Sequence, residues 1–258
     1  MPTAIKLQAE YGEDLQVLFV ESQGATPEKA ERFALERNWL GNRAMWTTEA
    51  PFNTGLGGLP SCALLSADGE VLMVGMTGSI GGKVHDEIEA WAKNKKRLPK
   101  GAPSSLKKPW TNYQKSKLTD ALAELAVIEA AGGDDVGAAT ELRTKIETGI
   151  ESRLKGINWM LNNGHPAEAK ESLALLAGEV EGHAVFSGRC SELVARLAED
   201  EMKAELEAAK EFSKLEKKLY SDGPDEKLGA KFAKFSEKHA GTKVAERASH
   251  LASVMASS

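Results

Sequence analysis

Cysteine is nearly missing from this chain: Cys62 and Cys190 are the two that 258 residues contain. That excludes a disulfide framework and leaves no C-x-x-C. A bridge between the two is the one pairing left open, and a count of two free thiols under denaturing, non-reducing conditions would remove it. An excess of positive charge is missing too, since 33 Lys and Arg stand against 38 Asp and Glu. Phosphate backbones are bound by a concentrated basic face, so no nucleic acid is expected as partner. No apolar run is long enough to span a bilayer and no signal peptide stands at this N-terminus. The chain reads as soluble, and as extracytoplasmic if a signal peptide precedes Met1.

Catalytic constellations are equally sparse. His85, His183, His239 and His250 have no Ser or Cys nearby in a nucleophile context. His165 and Glu168 can share a helix face, but no third ligand follows at metal-binding spacing. The run Gly55-Leu56-Gly57-Gly58 lacks the Lys and the strand-to-helix setting of a phosphate loop, as do Gly78, Gly81 and Gly82. No catalytic residue, metal or cofactor is therefore expected within this sequence.

What is present is a well-marked hairpin. Leu59-Pro60-Ser61-Cys62-Ala63-Leu64-Leu65 is an apolar strand opened by proline, Asp68-Gly69 is a tight-turn pair, and Val71 to Gly75 is a second apolar strand. Glycine supplies the positive φ that such a turn needs, and a proline at the first residue of a strand costs no ladder donor. The hairpin runs through Gly75 to Gly82 into an amphipathic segment carrying Val84, Ile88 and Trp91. Upstream, Leu15 to Val20 reads as a buried parallel strand, and Thr26 to Asn38 as a helix with Thr26 as N-cap and Pro27 in the first turn.

Over about the first hundred residues this pattern resembles the thioredoxin superfamily. There a cis-proline opens the strand beside the active site, a hairpin with a D-G or N-G turn follows, a glycine lies near the end of its second strand, and a helix closes the domain. Pro60, Gly69 and Gly75 match those positions, and Pro2 to Gly12 looks like the latter part of the helix that carries the family's active-site cysteines. The resemblance implies an α/β thioredoxin-like domain, incomplete at its N-terminus, related to thiol-disulfide oxidoreductases. Such chemistry needs a low-pKa thiolate at a helix N-terminus and a second thiol to resolve the mixed disulfide. Neither Cys62 nor Cys190 is so placed, and thiol exchange is not expected of the chain as it stands. Two readings follow: a longer native chain whose central strand and cysteines lie upstream of Met1, with thiol-disulfide exchange as its activity, or a redox-inactive, protein-binding scaffold.

The loop from Leu40 to Gly58 is long, and long ordered loops are uncommon without a task. The resemblance places partner peptides beside the cis-proline, so Trp46, Phe52, Leu59, Pro60 and Ser61 are the candidate substrate- or partner-binding residues. The alternative is that Trp46 and Phe52 cover the end of the sheet.

The domain reading is 1–93 for the thioredoxin-like part, 94–112 for a basic linker containing Pro99, Gly101 and Pro103, and 113–258 for an all-α domain. In the last, Leu118, Leu122, Leu125 and Ile128 form one stripe ending at Gly132-Gly133. A second helix carries Leu142, Ile146, Ile150, Leu154, Ile157 and Leu161, and stops at Asn162-Asn163-Gly164. A short helix from Ala167 to Ala177, a long one over Gly188 to Tyr220 and two more with Phe232, Phe235, Val244, Ala248 and Leu251 complete it. The stretches 158–177 and 232–251 look like helix pairs of the tetratricopeptide sort, without a 34-residue period. A helical bundle and an irregular helical-repeat scaffold both fit, and either suits protein binding.

Overall fold

The computed structural model describes residues 2–12, 15–37, 39, 45–47, 49, 52–66, 69–94 and 97–256. The chain divides into two compact units, Met1–Lys95 with Leu219–Pro224 and Ser257–Ser258, and Lys96–Lys218 with Asp225–Ala256.

The first unit runs α1 (Pro2–Tyr11), β1 (Leu18–Val20), α2 (Pro27–Glu36), β2 (Met45–Thr47), β3 (Ser61–Leu65), β4 (Val71–Met76) and α3 (Thr77–Asn94). The Thr26 hydroxyl accepts the Lys29 N–H at 3.4 Å and Pro27 occupies the first turn, as that pair of residues predicts. Ile5 of α1 and Phe19 of β1 form a small core with Val17 and Trp39. Gln8, only 3% exposed, ties α1 to the entry of β1 by accepting the Val17 N–H at 2.7 Å. β1 pairs in parallel with β2, Phe19 opposite Trp46. β2 is absent from the sequence reading because three residues are too few to carry a period of two.

β3 and β4 form the expected antiparallel hairpin, with Ser61 opposite Met76, Cys62 opposite Gly75 and Ala63 opposite Val74. The register shifts between Leu64 and Leu65, which face Met73 and Val71, so Leu72 is the extra residue and the bulge belongs to β4. Gly69 has φ +85° in the turn; Asp68 lies outside the described residues. The glycines 78, 81 and 82, read from sequence as the approach to a helix, lie inside α3. The helix pays for them with packing at Ile80 and Ile88, both buried. Gly75 is where it meets the hairpin: a Cβ there would lie 2.4 Å from Ile80 Cγ2.

The second unit contains helices and no strand among its described residues: a 3₁₀ turn (Ser104–Leu106), then α4 (Lys107–Gln114), α5 (Leu118–Ala131), α6 (Val136–Asn162), α7 (Pro166–Glu179), α8 (Phe186–Leu197), α9 (Asp200–Asp222, whose last turn from Leu219 falls in the first unit), α10 (Glu226–Lys238) and α11 (Lys243–Ala256). From α4 to α8 each helix packs on the next, and α10 packs on α11. The α6 stripe named from sequence is fully buried in one core with Leu118, Leu122 and Leu125.

Two expectations change. Residues 104–112, assigned to the linker, are helical: Leu106 is buried, and Trp110 and Tyr113 pack on the same core. Lysines and prolines hid that stripe, since Pro109 sits in the first turn, where its missing N–H costs little. The single helix over Gly188 to Tyr220 is two, α8 and α9, broken at Ala198 and Glu199. Asp200 and Glu201 fill the first turn of α9, where acidic side chains favour a new helix N-terminus. The buried residues of α9 are Met202, Glu205, Ala208, Ala209, Phe212 and Leu219, while Leu206 and Leu215 are half-buried.

Candidate partner-binding site

The corner around Pro60 is built by the entry to β3 and the start of α3. The Leu59-Pro60 peptide bond is cis. Thr77, the first residue of α3, donates both its backbone N–H (3.1 Å) and its hydroxyl (3.2 Å) to the Pro60 carbonyl. The corner is thus fastened to a helix through two donors. Upstream, the Asn53 side chain accepts the Gly55 N–H at 2.8 Å, a local turn of the kind Asn favours. Gly58 lies under Met76, whose Cε would be 3.6 Å from a Cβ placed there.

Leu59, Pro60 and Ser61 therefore form one continuous corner, with Leu59 55% exposed. Phe52 is half-buried. Trp46 belongs to β2 in the other ladder, and its side chain lies outside the described residues. Thr77 and Met76 were missed by the sequence reading. The signal available was a threonine directly after a strand, where a hydroxyl commonly bonds nearby backbone.

Leu59 and Met76 are exposed at this corner and Leu56 in the segment leading to it, while Leu65, Val71 and Leu72 are exposed at the turn end of the hairpin. Residues 52–66 and 71–82 contain no charged side chain, in a protein that is 28% charged. Exposed apolar side chains in an uncharged run of this kind favour an interaction site.

Both thiols are free. Cys62 is half-buried on β3, opposite Gly75 and so on the α3 side of the hairpin. Cys190 is 2% exposed in the helical core, and burial pushes its thiol up, away from the reactive thiolate. His165 Nδ1 lies 3.6 Å from Glu168 Oε1 and its ring stacks on Trp159 at 5.6 Å. Through that contact His165 holds the Glu168 carboxyl below its usual value. No group of three metal-ligating side chains occurs among the described residues. Among them too, no helix is long and apolar enough to cross a membrane. Compared with protein-family models, with curated proteins and with solved structures, the chain matches none.

Proposed function

We propose that this chain is a thioredoxin-like, protein-binding module joined to a helical scaffold, and that it binds extended apolar polypeptide at the Pro60 corner. The observation that carries the reading is the uncharged run of residues that forms that corner, with Leu56, Leu59 and Met76 exposed in it. Hairpin order supports the family resemblance: β3, the Gly69 turn, β4 with Gly75 against α3, and α3 itself follow in the sequence that the motif leads one to expect. The neighbour-on-neighbour packing of α4 to α8 supports a scaffold role for the helical unit. Thiol exchange has weaker support, because Cys190 is buried with its thiol pushed up and Cys62 sits within a strand rather than at a helix N-terminus.

The test pairs binding with turnover. Calorimetric titration with a reduced, alkylated polypeptide that cannot fold should give binding to the wild type, and Leu59→Asp should weaken it at least about tenfold with the far-UV circular dichroism unchanged. Equal binding by wild type and variant, or none by the wild type, overturns the site. In an insulin-reduction assay the protein should add nothing to the rate with dithiothreitol alone; an acceleration lost in Cys62→Ser would make the chain an oxidoreductase instead.

A further inference from the structure

The two edges of the β3–β4 hairpin are not equivalent. Among the described residues β3 is hydrogen-bonded to β4 and to no other strand, and the same holds for β4. β4 is bulged at Leu72, which interrupts its outer ladder, whereas β3 is regular from Ser61 to Leu65. The Thr77 N–H on the Pro60 carbonyl fixes the phase of the pairing. Residues 60 and 77 then form a hydrogen-bonded pair, and so do Cys62 with Gly75 and Leu64 with Met73. Consequently the N–H and C=O groups of Ser61, Ala63 and Leu65 point away from β4, along the outer edge.

Between Ser61 and Leu65 that edge lacks two common protections. Neither proline nor charge interrupts Ser61 to Leu65, and the nearest flanking residues, back to Phe52 and on to Ser66, are uncharged as well. The Ser61, Ala63 and Leu65 side chains share the face opposite to Ile80 and α3, where Met76 and Leu72 are exposed.

We propose that two copies of this chain pair through β3, antiparallel about a two-fold axis at Ala63, giving a continuous sheet in the order β4, β3, β3, β4. Ala63 then faces Ala63 of the second copy and Ser61 faces its Leu65, so each outward N–H and C=O finds a partner. A second copy is the occupant that the sequence favours: antiparallel self-pairing brings no like charges together, and the two-fold sets the smallest side chain of the strand, Ala63, against itself. The bulge on β4 limits growth beyond the pair. This association uses the backbone of β3 and stands apart from polypeptide binding at Leu59.

Sedimentation equilibrium of the full-length protein should give a reversible monomer–dimer equilibrium. Ala63→Pro should abolish the dimer, because proline removes an outward N–H that the hairpin does not use. Leu65→Lys, which places a charge beside the same edge, should do the same. Hydrogen exchange on the wild type gives the second readout: the Ser61, Ala63 and Leu65 amides should gain protection as protein concentration rises, while Cys62 and Leu64 stay protected throughout. A monomer at all concentrations, an open-ended polymer, a dimer untouched by both substitutions, or outward amides with concentration-independent exchange would each overturn the proposal.

Discussion

Arg247 makes three separate contacts within the helical unit. One guanidinium nitrogen donates to the Gly164 carbonyl at 2.6 Å, another to Glu216 at 2.9 Å, and the guanidinium carbon lies 4.7 Å from the Phe212 ring centroid. A planar fork is needed to reach both oxygens, so Arg247→Lys should rescue little of what Arg247→Ala loses. Arg247→Ala should cost about 2 kcal/mol, read as a lower urea midpoint at unchanged slope. Gly164 is the other half of that contact. With φ +75° and a would-be Cβ 2.6 Å from the Lys243 carbonyl oxygen, it admits no side chain without a backbone shift. Gly164→Ala should therefore destabilise by about 1–3 kcal/mol in the same titration. Glu205 shows the same logic from the acidic side. It is buried at 6% exposure, and its carboxylate accepts the Lys243 N–H at 2.5 Å and the Val244 N–H at 3.1 Å. α11 is thus capped by a side chain from α9. Glu205→Ala should cost about 1–2 kcal/mol and speed amide exchange at Lys243 and Val244.

At the scale of elements, the hairpin and α3 form one unit through Gly75. An added methyl there meets Ile80 at 2.4 Å, so Gly75→Ala should lower the thermal midpoint of the first unit, and Ile80→Ala in the same chain should restore part of it. This junction also marks how far the sequence could be read. The hairpin was legible because proline, an Asp-Gly pair and two apolar runs each have a local mechanism. The α6 stripe was legible because its six large apolar residues, all buried, repeat at helical spacing. β2 was not, since its three residues are set by a partner strand remote in sequence, nor was the bulge at Leu72, since two apolar runs leave the register across a hairpin open by one residue. α4 hid behind lysines and a proline that a first turn tolerates. The break between α8 and α9 was signalled by the acidic run 199–201, yet an unbroken series of good helix formers outweighed it. Of the candidate site, Leu59 to Ser61 is one corner, while Trp46 belongs to another ladder.

Across the whole molecule the acidic side chains give a pH signature. Glu211 is held below the ordinary carboxylate value of 4.5 by hydrogen bonds from Lys238 and then His239, and Glu151 by its bond from Arg189. A carboxyl depressed in the folded state contributes stability above its unfolded value and loses that contribution as pH falls through the folded one. Stability should therefore be level from neutral pH down to about 5 and decline below about 4.5. Chemical denaturation at stepped pH would measure this, and Glu211→Gln should soften the decline. Both carboxylates are exposed to solvent, so added salt should soften it as well.

The bond from Arg247 to Gly164 joins positions 83 residues apart. Helical arrays whose members touch only their neighbours melt piecewise, from the ends inward. Here the last helix is tied back to the turn between α6 and α7, which closes a long loop at an entropic cost that grows only slowly with its length. The Gly164 carbonyl gains that donor only once α11 is in place. The helical unit should accordingly unfold in one cooperative step rather than fray from α11, and a chain ending before Arg247 should lose that cooperativity along with the helix.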